Sequence, residues 1–329
     1  MVCITNYFSS NSGIFNNVML YLCINGIFNG LLYNSEAWHS VTLEDIVALE
    51  KLDEGLLRFL LGSHSKAPIE ILYLESGATP IRFVVSSRRL NYLQTILKRD
   101  EEELTKRILV AQRDSPCPGD FIKLVEEDIK TFDLSMDISS IESCGVDVFK
   151  KVIKSKMKDA ALKYLKKLQE PHTKVNKIRY DKLETQKYLL SPIFSNEETQ
   201  LLYALRTRTV EGIKSNFKNM FDSLECPLKC WSQGEDPIKD TQQHLLTCSK
   251  LEVQSNDISC GKVEYEDLFK DVKKQKEATV LLSRLLEVRN KAKDEDLPEV
   301  YLDPSTGSRS CCGDIVLTNP VLTILSCGI

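Results

Sequence analysis

Three thiols and one imidazole, Cys226, Cys230, His244 and Cys248, fall in a Cys-x3-Cys-x13-His-x3-Cys array. These side chains suit Zn²⁺, a borderline-soft cation with no redox chemistry that takes thiolate sulfur and imidazole nitrogen in a tetrahedron. Short spacing brings each pair of ligands together, and the loop between the pairs adds only a slowly growing closure entropy. Four protein ligands complete the shell and leave no position for a reactive water, so the array predicts a structural zinc as the cofactor. The competing reading is a set of scattered reduced cysteines with a surface histidine. Pro227, Trp231 and Pro237, in a stretch without a dense apolar repeat, favour a small knuckle organised by metal.

No other constellation suggests catalysis. His39, His64 and His172 have no Ser or Cys placed as a nucleophile, and the chain contains no Gly-rich phosphate loop, HExxH or GxSxG. Glu197 and Glu198 stand where a helix begins, and there the macrodipole favours carboxylates without any catalytic demand. The expectation is a protein that is not an enzyme.

Charge is distributed unevenly. The formal net charge is -4, yet thirteen Lys or Arg and only four acids lie between Lys150 and Lys187. A cationic stripe beside a zinc knuckle is the electrostatic footprint of phosphate contact, although most lysine runs are only solvated helix faces. The expected nucleic-acid contacts are Lys150, Lys151, Lys154, Lys158, Lys163, Lys166, Lys167, Lys174, Lys177 and Arg179 along the stripe. Arg206, Arg208, Lys214, Lys218 and Trp231 are expected to join them near the knuckle. RNA or DNA is the expected partner, with a helical interaction scaffold as the alternative function.

The elements that would position these residues are helical. Thr42 and Asp45 form a capping box that opens an amphipathic helix closed by Gly62, Pro68 opens a second helix ended by Gly77, and Pro80 opens a third through Leu97. Helical stretches over 101–110 and 120–131 flank a turn at 116–119, and a Ser-rich loop over 133–145 predicts a boundary. A cationic amphipathic helix over 146–169 is ended by Pro171. Ser195 and Glu198 form a second capping box, and a docking helix covers 273–291. The predicted fold class is mainly α: a helical bundle, then a basic helical segment and a small zinc knuckle. The predicted division is an uncharged apolar segment over 1–35, a helical bundle over 36–132 (thumb-like only by the resemblance given below) and a basic region over 146–220. The knuckle over 221–250, C-terminal helices over 251–292 and a disordered tail over 293–329 complete it.

Hydrophobic residues at 42% and charged residues at 27% are a globular balance. The uncharged start has no basic n-region, and Gly26 and Gly30 with Asn25 and Asn29 interrupt an apolar run too short to span a bilayer, so neither a signal peptide nor an anchor is predicted. A core segment is expected instead, packing on a partner surface upstream. The eight cysteines outside the array lack framework spacing, so a reducing, cytoplasmic or nuclear location is expected.

Leu31-Leu-Tyr-Asn-Ser-Glu-Ala-Trp38, Glu70-Ile-Leu-Tyr-Leu-Glu-Ser-Gly77 and the Cys226 to Cys248 array, taken in this order, resemble the C-terminal part of non-LTR retrotransposon endonuclease and reverse transcriptase polyproteins. Leu31-Leu-Tyr-Asn-Ser-Glu-Ala-Trp38 resembles the family's LLYGSExW segment after the polymerase palm. Glu70-Ile-Leu-Tyr-Leu-Glu-Ser-Gly77, Pro80-Ile-Arg-Phe83 and Arg88-Arg-Leu-Asn-Tyr-Leu93 are similar to stretches that follow it. The array, from Cys226-Pro-Leu-Lys-Cys230 to Cys248, resembles the terminal CCHC knuckle, and Tyr265-Glu-Asp-Leu-Phe269 a segment beyond it. The resemblance covers about 25 to 291. It implies a grip on template RNA or target DNA and an upstream polymerase portion as a further partner. No Tyr-x-Asp-Asp or Phe-x-Asp-Asp occurs, so the carboxylate pair that holds Mg²⁺ for nucleotidyl transfer is absent. The spacing from Cys230 to His244 is longer than the family's usual knuckle.

Overall fold

A computed structural model describes residues 18, 21–22, 26–38, 41–63, 67–172, 178–210, 213, 223–230, 236–241, 244–245, 248, 268–269 and 271–295, with side chains in the last helix through Arg289. Among these residues the structure is helical. Helix α1 is Phe28–Leu31, followed by a 3-10 turn at Ser35–Ala37. Then come α2 (Leu43–Leu61), α3 (Ile69–Ser76), α4 (Ile81–Leu97), α5 (Leu104–Asp114) and α6 (Phe121–Thr131). Next are α7 (Ile138–Ser143), α8 (Val146–Gln169), α9 (Lys187–Leu190), α10 (Asn196–Thr207) and α11 (Val272–Glu295). The only β feature among them is an isolated antiparallel bridge between Glu225 and Lys239.

Local signals set the helix ends. Thr42 Oγ1 accepts from the Asp45 amide and the Asp45 carboxylate accepts from the Thr42 amide at 2.9 Å, satisfying two donors that the first turn of α2 leaves orphaned. Ser195 and Glu198 repeat the device at α10. Helix α5 begins later than expected, at Leu104, because Asp100 and Glu103 close a turn first. The stretch expected as a loop over 133–145 contains α7, capped by Asp137 and anchored by the fully buried Ile141.

Helix α4 is the hub. It packs against the 3-10 turn, α2, α5, α6, α7 and α8. Leu90 and Leu93 are fully buried in it, and each contributes about 2 kcal/mol from transfer out of water alone. Polar links fix the neighbours: Arg82 grips Glu50 on α2 through 2.8 and 2.6 Å contacts, Arg89 reaches Asp128 on α6 at 3.2 Å, and Arg88 bonds the Leu32 carbonyl and Asn29. Phe28 and Leu32 from the uncharged segment are buried, whereas Tyr21 and Tyr33 are exposed. No described helix is long and apolar enough to cross a membrane.

Gly77 lets the segment before α9 dock on the bundle. Its φ is +70°, and an added Cβ would lie 2.1 Å from the Thr185 amide nitrogen and 2.4 Å from the Glu184 carbonyl carbon. The close approach allows Gln186 N–H to donate to Glu75 O and Thr185 Oγ1 to donate to Ser76 O. Gly77→Ala is expected to destabilise the chain by more than about 2 kcal/mol in urea unfolding, since both the backbone region and the clash oppose it. Gly55→Ala, inside α2 with open space around it, is expected to stabilise by about 0.5–1 kcal/mol in the same assay.

Candidate metal centre

Two short chain segments build the site. Backbone N–H groups of Cys226 and Asp240 donate to the carbonyls of Ile238 and Leu224, both at 2.8 Å, which sets these segments antiparallel across the Glu225 and Lys239 bridge. The Cys226 carbonyl accepts from the Lys229 amide, and Lys229 takes a φ of 45°, turning the chain so that Cys230 comes back toward Cys226. Thr241 Oγ1 accepts from the His244 amide at 3.0 Å, starting the helical turn at 244–245 that aims the imidazole inward.

The expected ligands converge. One ligand atom from each of Cys226, Cys230, His244 and Cys248 lies within 4.8 Å of all the others, with Cys230 Sγ 3.2 Å from His244 Nε2. A tetrahedral zinc with bonds of about 2.0–2.3 Å needs ligand atoms about 3.4–3.8 Å apart, so small side-chain movements complete the polyhedron. Three thiol sulfurs and one imidazole match zinc and disfavour the oxygen-seeking Mg²⁺ and Ca²⁺. The cluster is suited to hold a structural Zn²⁺.

Electrostatics point the same way. Burial, then the neighbouring thiols Cys226 and Cys248, push the Cys230 thiol up to about 12, and burial raises Cys226 as well. Crowded sulfurs of this kind become thiolates together only when a cation offsets their charge. Burial lowers the pKa of His244, which favours the neutral imidazole that a metal ligand must be. Cys226 and Cys248 are each 3% exposed and belong, with Leu245, to the same continuous core as α3, α4 and α8. Arg289 on α11 donates to Asp240 Oδ2 at 2.6 Å, with both side chains almost wholly buried. The knuckle is therefore set into the helical body. Asp240 and Arg289 had no role in the sequence reading, although Arg289 follows Leu285 by one turn on the face that α11 buries.

The expected nucleic-acid contacts fare unequally. Lys150, Lys151, Lys154, Lys163, Lys166, Lys167 and Arg179 are exposed, and Lys158 and Arg208 are half-buried. Arg208 takes the left-handed position that ends α10. Lys174, Lys177, Lys214, Lys218 and Trp231 lie outside the described residues.

Arg206 is corrected: it is 4% exposed, and its guanidinium donates to both Glu75 oxygens and to the Leu268 carbonyl. A buried, fully engaged cation cannot reach a phosphate.

The lysines of α8 do not form one stripe. Its first half buries Phe149 and Ile153, its second half Ala161, Leu162 and Leu165, and at about 100° per residue these faces differ by roughly 150°. Lys150, Lys151, Lys154 and Lys158 consequently face a different side from Lys163, Lys166 and Lys167. No family model, curated protein or solved structure matches this chain.

Proposed function

We propose that this chain is a non-catalytic helical scaffold that binds other proteins, with zinc confined to a structural role, and that it derives from the C-terminal region of a non-LTR retrotransposon polyprotein. The placement of the metal cluster supports this reading: Cys226 and Cys248 are sunk in the main core and Asp240 is locked to Arg289. A knuckle that reads nucleic acid needs its cations and rings at the surface, and Arg206, expected among them, is interior. The origin rests on the resemblance of the stretches from Leu31 to Cys248, and the absence of the Asp-Asp pair accords with a role other than polymerisation.

The exposed lysines of α8 favour a second reading, non-specific association with RNA or single-stranded DNA. Splitting them between two sides weakens the grip on one backbone, because counterion release scales with the phosphates contacted at once.

Fluorescence anisotropy with a labelled single-stranded RNA separates the readings. At about 50 mM salt, where non-specific electrostatic binding is strongest, the scaffold reading expects no saturable rise. It also expects the expressed chain to co-purify with a defined protein that survives nuclease treatment. Saturable RNA binding that weakens steeply with salt, together with protein partners lost on nuclease treatment, would replace the scaffold by the nucleic-acid module.

A further inference from the structure

Holding zinc places charge where charge is costly. Thiols give up their protons to solvent when they take a metal, so Cys226, Cys230 and Cys248 as thiolates, with a divalent cation and a neutral His244, carry a single net negative charge. Cys226 and Cys248 lie in the core, and a buried charge persists only beside an opposite one. On the two segments that build the site, Glu225, Lys229, Asp236 and Lys239 are all exposed, where water screens them. Arg289, at 2% exposure, is a cation in the interior.

The pairing of the two segments fixes how near that cation stands. Cys226 N–H donates to Ile238 O and Asp240 N–H to Leu224 O, on either side of the Glu225 and Lys239 bridge. Alternate residues of paired segments share a side, so Cys226 and Asp240 are diagonal neighbours on one side, about 7 Å apart. Asp240 Oδ2 in turn accepts from Arg289 Nη2 at 2.6 Å. The guanidinium therefore stands about 10 Å from the Cys226 sulfur, and over that span two unit charges at an effective dielectric of about 20 change an equilibrium roughly tenfold. Apart from burial, the influences on His244 are the charges of Asp240 and Arg289, which are of opposite sign.

We propose that Arg289 is the counter-charge of the zinc centre, sited outside the coordination shell and held there by Asp240, and that it raises the affinity of the three-thiolate cluster for zinc. Asp240 has two effects. As an anion it opposes the added negative charge, and through its bond it keeps the guanidinium in place. Helix α11 thereby takes part in holding the metal although it carries no ligand. The proposal rests on the metal centre and is independent of whether the chain's macromolecular partner is protein or nucleic acid.

Competition against nitrilotriacetate measures zinc affinity on the full chain, and Co²⁺ in place of zinc reports on the sulfurs through their charge-transfer absorption. Arg289→Gln is expected to weaken zinc by about tenfold to a hundredfold, the range for partners just outside a coordination shell. Asp240→Asn keeps an acceptor for Arg289 and is expected to tighten zinc by about tenfold. The sulfur-to-cobalt band should move to lower energy in the first variant and to higher energy in the second, because a nearby positive charge stabilises the sulfur electrons. With both changes combined, affinity should return close to that of the unaltered chain. A pair that only pins the knuckle to α11 would instead weaken zinc in every variant and leave the band unmoved. Zinc held more weakly by Asp240→Asn than by the unaltered chain, or one band energy throughout, would overturn the proposal. If thermal melting shows that Arg289→Gln does not fold, the sign of the change at Asp240→Asn decides. No zinc uptake by the unaltered chain would remove the metal centre and this proposal together.

Discussion

Chelation of the purified chain is expected to release one zinc per molecule and to unfold the knuckle together with the end of α11 that rests on it. Metal binding at structural sites supplies on the order of 10 kcal/mol at neutral pH, as large as the whole net stability of an ordinary domain. The cluster at Cys226, Cys230, His244 and Cys248 is also part of the core. Its loss leaves three thiols crowded without a cation and frees the segments that the Glu225 and Lys239 bridge aligns. The buried Asp240 and Arg289 pair then loses its enclosure, and hydrogen exchange should show lost protection at 223–230 and 236–241 and in α11, with α4 still protected. Cys248→Ser should reproduce the effect permanently. Acid should mimic the chelator: the raised thiol pKa values of Cys226 and Cys230 mean that metal displaces protons there, so affinity falls as pH falls. Elemental analysis showing no bound metal, or a melting temperature indifferent to chelator, would remove the structural role of zinc.

What could be read from the sequence is what is local. The capping boxes at Thr42 and Ser195, the stops at Gly62 and Gly77, and the ligand spacing from Cys226 to Cys248 each depend on residues within a few turns of one another. Helix ends and ligand convergence followed from them. Long-range matters were hidden. Ser-rich composition disguised α7, which forms because Ile141 can reach the core beside α4. The helical period over 146–169 predicts apolar residues on one side of α8 and lysines on the other, whereas the helix changes its buried side midway, from Phe149 and Ile153 to Ala161, Leu162 and Leu165. Arg206 was misplaced because its partner Glu75 is 131 positions away. A signal did exist: Arg206 follows Leu202 by one turn and Leu205 directly, which puts it on the apolar face of α10.

That buried arginine sets up the second large effect. Arg206→Ala is expected to cost about 5 kcal/mol, the upper end for breaking a buried ion pair, because Glu75 is left fully buried without its counter-charge. Arg206 also stacks over the rings of Tyr188 and Phe269 at 5.3 and 4.7 Å and donates to the Leu268 carbonyl at 2.8 Å, so the truncation removes packing and one more hydrogen bond. Tyr180 still donates to Glu75 Oε1 at 2.5 Å, but one neutral donor does not replace a guanidinium. The pair joins α3, α10, the turn at 268–269 and the segment before α9, and urea unfolding of the variant should show the bundle and the metal-bearing half separating into two transitions. Because the penalty comes from the stranded charge, removing the charge should relieve it. Glu75→Gln combined with Arg206→Met is expected to recover about 2–3 kcal/mol of the loss, the order of the difference between breaking a buried pair and replacing it by neutral groups. If the double variant is no more stable than Arg206→Ala alone, the ion pair is not what holds these elements together, and the packing of Arg206 against Tyr188 and Phe269 takes its place as the cause.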